Sequence, residues 1–97
     1  QNMPTRSVPI CLFPLGKIVA TPSALRCLTS DDLISAVRRH QAGDWGDMDS
    51  EDKQTNDQAL ESGGRLFSVY RGTNGTKFYI ITEADRRVTT ALLPEDY

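Results

Sequence analysis

The amino-acid sequence predicts an α+β domain, with two to three helices packed on a small antiparallel sheet. Three observations carry that reading. Apolar residues recur at helical spacing through the N-terminal part, and at Arg65 the pattern switches to the alternation of strands. The helical stretches open on capping residues followed by acids, which favour the positive end of the helix dipole. Asn74-Gly75 then lies between two apolar runs, a strong hairpin signal. Ninety-seven residues make one domain, 1–97. A chain this size buries roughly 60–70% of the surface its unfolded form exposes, enough for one modest core.

Residues 1–8, QNMPTRSV, read as a loose terminus. Pro9 to Pro14, PICLFP, is apolar but broken by prolines, so an extended segment against the body is expected. Gly16 to Ala20 carries the β-branched run of a short strand. Thr21-Pro22 reads as an N-cap with proline at the first helical position, opening a short helix to Leu28. Ser30 is the expected cap of a second helix reaching Gln41, with Leu33, Ile34 and Val37 as its buried stripe. Arg38, Arg39 and His40 complement the dipole in its last turn. After the loop GDWGDMD, Asp49 or Ser50 caps a third helix, Glu51 to Ser62, which Gly63 and Gly64 end.

That third helix has only Ala59 and Leu60 as apolar anchors. A helix so polar either lies on the surface or lends groups such as Asn56 to something else. Arg65–Tyr70, Thr76–Glu83 and Arg87–Leu93 then predict a three-stranded antiparallel meander, with the short N-terminal strand beside it. Phe67, Val69, Phe78 and Ile80 are expected on one face, with Leu66, Tyr70, Tyr79 and Ile81 on the other. Both faces of the middle strand are apolar, so helices should cover one and the N-terminal segment or a partner chain the other.

Composition excludes several function classes. The chain is 38% hydrophobic and 25% charged, as in an ordinary globular protein. Its net charge of −2 lacks the basic footprint of a nucleic-acid binder, although a local patch remains compatible with that balance. Cys11 and Cys27 form neither a disulfide framework nor a CxxC pair, and read as small, buried or partly buried thiols in a reducing, cytoplasmic compartment. No apolar run approaches a membrane span, and prolines interrupt any secretory h-region.

The stretch Arg38 to Asp57 concentrates polar and aromatic types, including the only His and the only Trp. His40 has the pKa range of a general acid or base, with Asp44, Asp47, Asn56 or Asp57 as partners. Equally it is a dipole-compensating residue or a satisfied polar contact. Trp45 reads as an anchor pinning the loop, or as a stacking platform. The acid run invites calcium but fails the EF-hand test. Counting from Asp47, position six is Asp52 rather than Gly, and position twelve is Gln58 rather than Glu. No HExxH, Cys/His cluster, GK[ST] loop or GxSxG elbow is present, so neither a metal nor another cofactor is called. A second polar concentration, Glu83 to Thr90, reads as turn chemistry, or as a surface where Glu83 and Arg86 join the first segment.

RHQAGDWGD, EDKQTNDQAL, GGRLFSVY and TKFYIITEADRRVTTALLPEDY together resemble a family of short bacterial proteins. These are carried on plasmids and other mobile elements and are usually labelled plasmid-related or hypothetical. The resemblance spans residues 13–97. It implies a bacterial cytoplasmic accessory protein of a mobile element or gene cassette, and it transfers no catalytic residues. Architecturally, helices followed by an antiparallel sheet with a lone His are similar to the small ribonuclease toxins of the barnase and colicin type. That analogy would give His40, Arg65, Tyr70 and Thr90 the acid–base work.

The leading expectation is therefore a binding module for a protein partner, with homodimerisation as a further possibility. Its site would comprise His40, Asp44, Trp45, Asp47, Asn56, Asp57, Glu83 and Arg86. The alternative is a metal-independent ribonuclease using His40.

Overall fold

The computed structural model describes residues 11–97. The expected loose terminus, and the start of the Pro9–Pro14 segment, lie outside them. Strand β1, Lys17–Ala20, leads into helices α1, Pro22–Cys27, α2, Ser30–Gln41, and α3, Ser50–Ser62. Strands β2, Leu66–Arg71, β3, Lys77–Thr82, and β4, Val88–Leu92, follow, and a 3-10 turn at Pro94–Asp96 closes the chain. The sheet order is β1-β4-β3-β2.

The α+β class holds, but the sheet is mixed. The meander β2-β3-β4 is antiparallel, whereas β1 pairs with β4 in parallel. The long connection that parallel neighbours require runs from β1 through all three helices and then β2 and β3 before it reaches β4.

Local chemistry explains the helix boundaries. Thr21 caps α1 by accepting from the Ala24 N–H, with Pro22 at the first helical position. The cap of α2 is Thr29, one residue before the expected Ser30. Thr29 Oγ1 accepts from Asp32 N at 3.0 Å, and Asp32 Oδ2 accepts from Thr29 N at 3.1 Å, a reciprocal capping box. The same carboxylate accepts from Thr73 N at 3.0 Å, tying α2 to the β2–β3 loop. Asp49 caps α3, and Gly63 ends it at φ 85°, where a side chain would be strained.

Cross-strand register corrects the expected partition of faces. Leu66 pairs with Thr82, Ser68 with Ile80 and Tyr70 with Phe78, so even-numbered residues of β2 and β3 share a face. The cause is the loop length. Five residues, 72–76, join the strands rather than a two-residue Asn-Gly turn, and a shift of one residue exchanges the faces.

All helices pack on that even-numbered face. Ala24, Leu28 and Ala36 meet Tyr70, Phe78, Ile80, Ala91 and Leu93 in the larger hydrophobic cluster. A smaller one joins Phe13, Trp45, Ala59 and Leu66. The N-terminal segment or a partner chain was expected over the opposite face. The described part of that segment lies on the helix side instead, with Phe13 stacked on Trp45. The thiols of Cys11 and Cys27 are exposed, contrary to the buried or partly buried placement expected. No helix among the described residues is long and apolar enough to cross a membrane.

Candidate functional site

His40 sits in the last turn of α2 with no exposed surface, between the two hydrophobic clusters. Phe13 and Trp45 each meet its ring edge-to-face, at centroid distances of 5.3 and 5.6 Å. Its Nδ1 lies 2.5 Å from Ser68 Oγ and its Nε2 lies 2.9 Å from Thr82 Oγ1. Thr82 Oγ1 lies 2.7 Å from Thr89 Oγ1, which donates to the Leu15 carbonyl at 2.7 Å.

Each hydroxyl has one proton, which fixes the direction of every bond in this chain. Thr89 spends its proton on Leu15, so Thr82 donates to Thr89. Thr82 must then accept from His40 Nε2–H, and Ser68 donates to Nδ1. The imidazole is the neutral Nε2–H tautomer, fully satisfied. Burial, and after it the positive charge of Arg86, lower its pKa to about 3.

The other candidates in the Arg38–Asp57 stretch are also spent largely on structure. Trp45 is buried and donates from Nε1 to Asp57 Oδ1 at 2.9 Å. Asp44 accepts from Arg39 at 2.7 and 3.3 Å, and that contact holds its carboxyl below the usual range. Tyr70 donates to the Asp44 carbonyl at 2.6 Å, and burial pushes its phenol pKa upward. Asn56 binds both backbone groups of Phe67, accepting from N–H at 3.1 Å and donating to C=O at 2.7 Å. Gly46 forms a bridge with Val69, and a Cβ there would stand 2.0 Å from the Val69 carbonyl, so only glycine fits.

Arg86 is a helix cap rather than an open binding group. Its guanidinium donates to Gly64 O, just past α3, at 2.6 Å and to Ala59 O, in the last turn of α3, at 3.1 Å, which clamps the end of the helix. Glu83 pairs with Arg65 at 3.4 Å on the surface.

The ribonuclease constellation is not assembled. His40 and Tyr70 are buried under the helices. Thr90 pairs with Ile81 and so projects from the opposite face of the sheet. Acid–base groups must converge on one reacting bond, and here the sheet separates them. Among the described residues no group of three or more His, Cys, Asp or Glu side chains is placed to hold a metal ion.

What the structure does gather is a groove of about 500 Å³ where the odd-numbered face of β2 and β3 meets the start of α3. Phe67, Val69 and Tyr79 form its apolar floor. Asp47, Asp49 and Asp52 line it at the start of α3, while Arg65 and Lys77 lie at opposite ends of the β2–β3 ladder. Tyr97 extends the floor, meeting Phe67 and Tyr79 edge-to-face at 5.8 and 5.9 Å. Neither hydrophobic cluster includes a side chain of this face.

Three sequence candidates line the groove: Asp47, Asn56 and Arg65. The sequence reading missed Lys77, Phe67 and Tyr79 as site residues. Their available signal was the aromatic and basic content of alternate strand positions, which the register error obscured. No protein-family model, curated protein or solved structure matches this chain.

Proposed function

We propose that this protein is a binding module that captures an extended segment of another protein on the sheet face its helices leave open. The observation that carries the reading is the groove beside β2, with its aromatic floor, an acidic cluster at the start of α3 and a basic residue at each end. Phe67, Tyr79 and Tyr97 are partly or largely exposed aromatics, a residue type favoured at interfaces. The acidic cluster favours a lysine or arginine on the partner and repels nucleic-acid phosphates. The resemblance to short plasmid-borne proteins suggests the setting, an accessory role in the bacterial cytoplasm. Nothing in the arrangement of His40 supports catalysis, since its ring is enclosed and both nitrogens are occupied.

Selection of displayed peptides on the immobilised protein tests this. Enriched peptides should carry an aromatic or aliphatic residue next to a basic one. They should lose roughly tenfold or more in affinity for Tyr79→Ala and for Asp52→Lys, the scale of a lost interface anchor. Peptides that bind both variants as well as the parent would remove the groove from the function.

A further inference from the structure

The two sides of the sheet are tied together through one carboxylate. Leu93, just after β4, is buried in the larger hydrophobic cluster on the helix side. Four residues later Tyr97 lies on the other face, its ring edge-on to Phe67 and Tyr79. The 3-10 turn Pro94–Asp96 carries the chain from one side to the other.

Tyr97 is not held there by its own ring. It is 68% exposed, and its hydroxyl oxygen accepts from Arg65 Nη1 at 3.5 Å, the outer limit of a hydrogen bond. Burial that slight does not offset the freedom lost in fixing a large side chain. What fixes the ring is the residue before it. Asp96 Oδ2 accepts from Thr21 Oγ1 at 2.7 Å, from Ser23 Oγ at 2.5 Å and from Leu93 N at 3.0 Å. Thr21 and Ser23 are the cap and a first-turn residue of α1. Thr21 Oγ1 also accepts from Ala24 N, so the hydroxyl that caps the helix spends its one proton on Asp96. These donors, Ser23 foremost, hold the Asp96 carboxyl below the usual carboxylate range.

The place of the ring bears on the groove. The α3 helix stands beyond the outer edge of β2, where Asn56 meets Phe67. Tyr97 arrives from β4, on the other side of β3. The aromatic floor of Phe67 and Tyr79 therefore has α3 along one side and Tyr97 along the other.

We propose that Asp96 is a positioning residue of this groove. Its bonds to Thr21 and Ser23 latch the chain to the start of α1 and set Tyr97 as a wall. A bound segment lies along β2 with its basic residue toward Asp49 and Asp52, and its apolar residue between the floor and Tyr97. The wall rests on the groove reading above, whereas the latch is measurable with no ligand present.

Proton NMR on the full chain reads the latch directly. Through-space contacts from the Tyr97 ring to Phe67 and Tyr79 should be present in the parent and absent in Asp96→Ala. They should remain in Asp96→Asn, whose amide oxygen still accepts from the same donors. Contacts between Tyr70 and Phe78, rings of the core, should persist in every variant. A peptide selected on the parent should then lose about threefold to tenfold in affinity for Asp96→Ala, and as much for Tyr97→Ala, the scale of an aromatic contact. The double variant should bind no worse than Tyr97→Ala alone, because the latch acts through the ring. Ring contacts that survive Asp96→Ala, or that Asp96→Asn fails to keep, overturn the latch. Losses that add in the double variant, or an Asp96→Ala variant that binds like the parent, overturn the wall. A selection that yields no peptide overturns the groove reading instead, and the ring contacts still decide the latch.

Discussion

A histidine enclosed in apolar surroundings must remain neutral, and His40 does so with both nitrogens satisfied. Its folded pKa, about 3, lies below the ordinary 6.5. The unfolded chain therefore binds a proton that the folded chain refuses. Stability from this residue is complete above the unfolded pKa and declines as pH falls toward the folded one. No other histidine exists to titrate between about pH 6.5 and 4.5, and the carboxylates enter lower. Urea unfolding should therefore show the protein roughly 2 kcal/mol less stable at pH 5 than at pH 7.5, from about 1.5 pKa units of protonation. Imidazole nitrogen shifts should report the neutral Nε2–H tautomer throughout that window. A flat stability profile, or a charged ring at pH 5, would contradict the buried hydrogen-bond chain. The sequence marked His40 as unusual and allowed that it was a satisfied polar contact. It did not indicate the partners. Ser68, Thr82 and Thr89 each place a hydroxyl on the core face of an apolar strand, and such residues need a buried partner. Matching them to His40 required the register, which links positions 28 and 42 residues apart.

At the scale of elements, α3 shows how a helix with little apolar surface is kept in place. Its buried residues are Asn56 and Ala59. Asn56 acts as a substitute strand, offering β2 one acceptor and one donor at Phe67. Arg86 holds the other end through the Ala59 carbonyl in the last turn and the Gly64 carbonyl just beyond it. The weak periodicity of DKQTNDQALE was readable in the sequence as a demand for polar anchoring, and Asn56 was the residue it pointed to. The object it anchors was not readable, because the outer edge of a strand is defined only by the order of the sheet. Asn56→Ala should leave the Phe67 N–H and C=O without protein partners and cost about 1–3 kcal/mol. Urea unfolding measures the loss. Hydrogen exchange at the Phe67 amide should accelerate more than at Ile80, which lies in the interior strand β3. Equal acceleration at both amides would show that the helix stabilises the sheet globally rather than covering its edge.

Across the whole molecule, helix caps and strand alternation are local patterns, so the order and kind of elements could be read in advance. The parallel pairing of β1 with β4 is non-local, and periodicity carries no trace of it. The same holds for the division of the interior. One cluster lies under α1 and α2, the other joins Phe13, Trp45, Ala59 and Leu66. The hydroxyl chain through His40 runs between them. A buried polar layer can separate two cores into independently melting parts, or bind them when every member is satisfied. No described buried side-chain nitrogen or oxygen lacks a partner, which favours binding. Trp45, the only tryptophan, reports on the smaller cluster, while far-UV circular dichroism reports on helices and sheet together. Their denaturation curves should coincide in midpoint and slope, as for a two-state domain. The curves should also shift together in Thr82→Val, which removes the middle hydroxyl and leaves His40 Nε2 and Thr89 without their shared partner. If the fluorescence transition precedes the dichroism transition in the parent, the smaller cluster opens on its own, and the polar layer is a boundary rather than a joint.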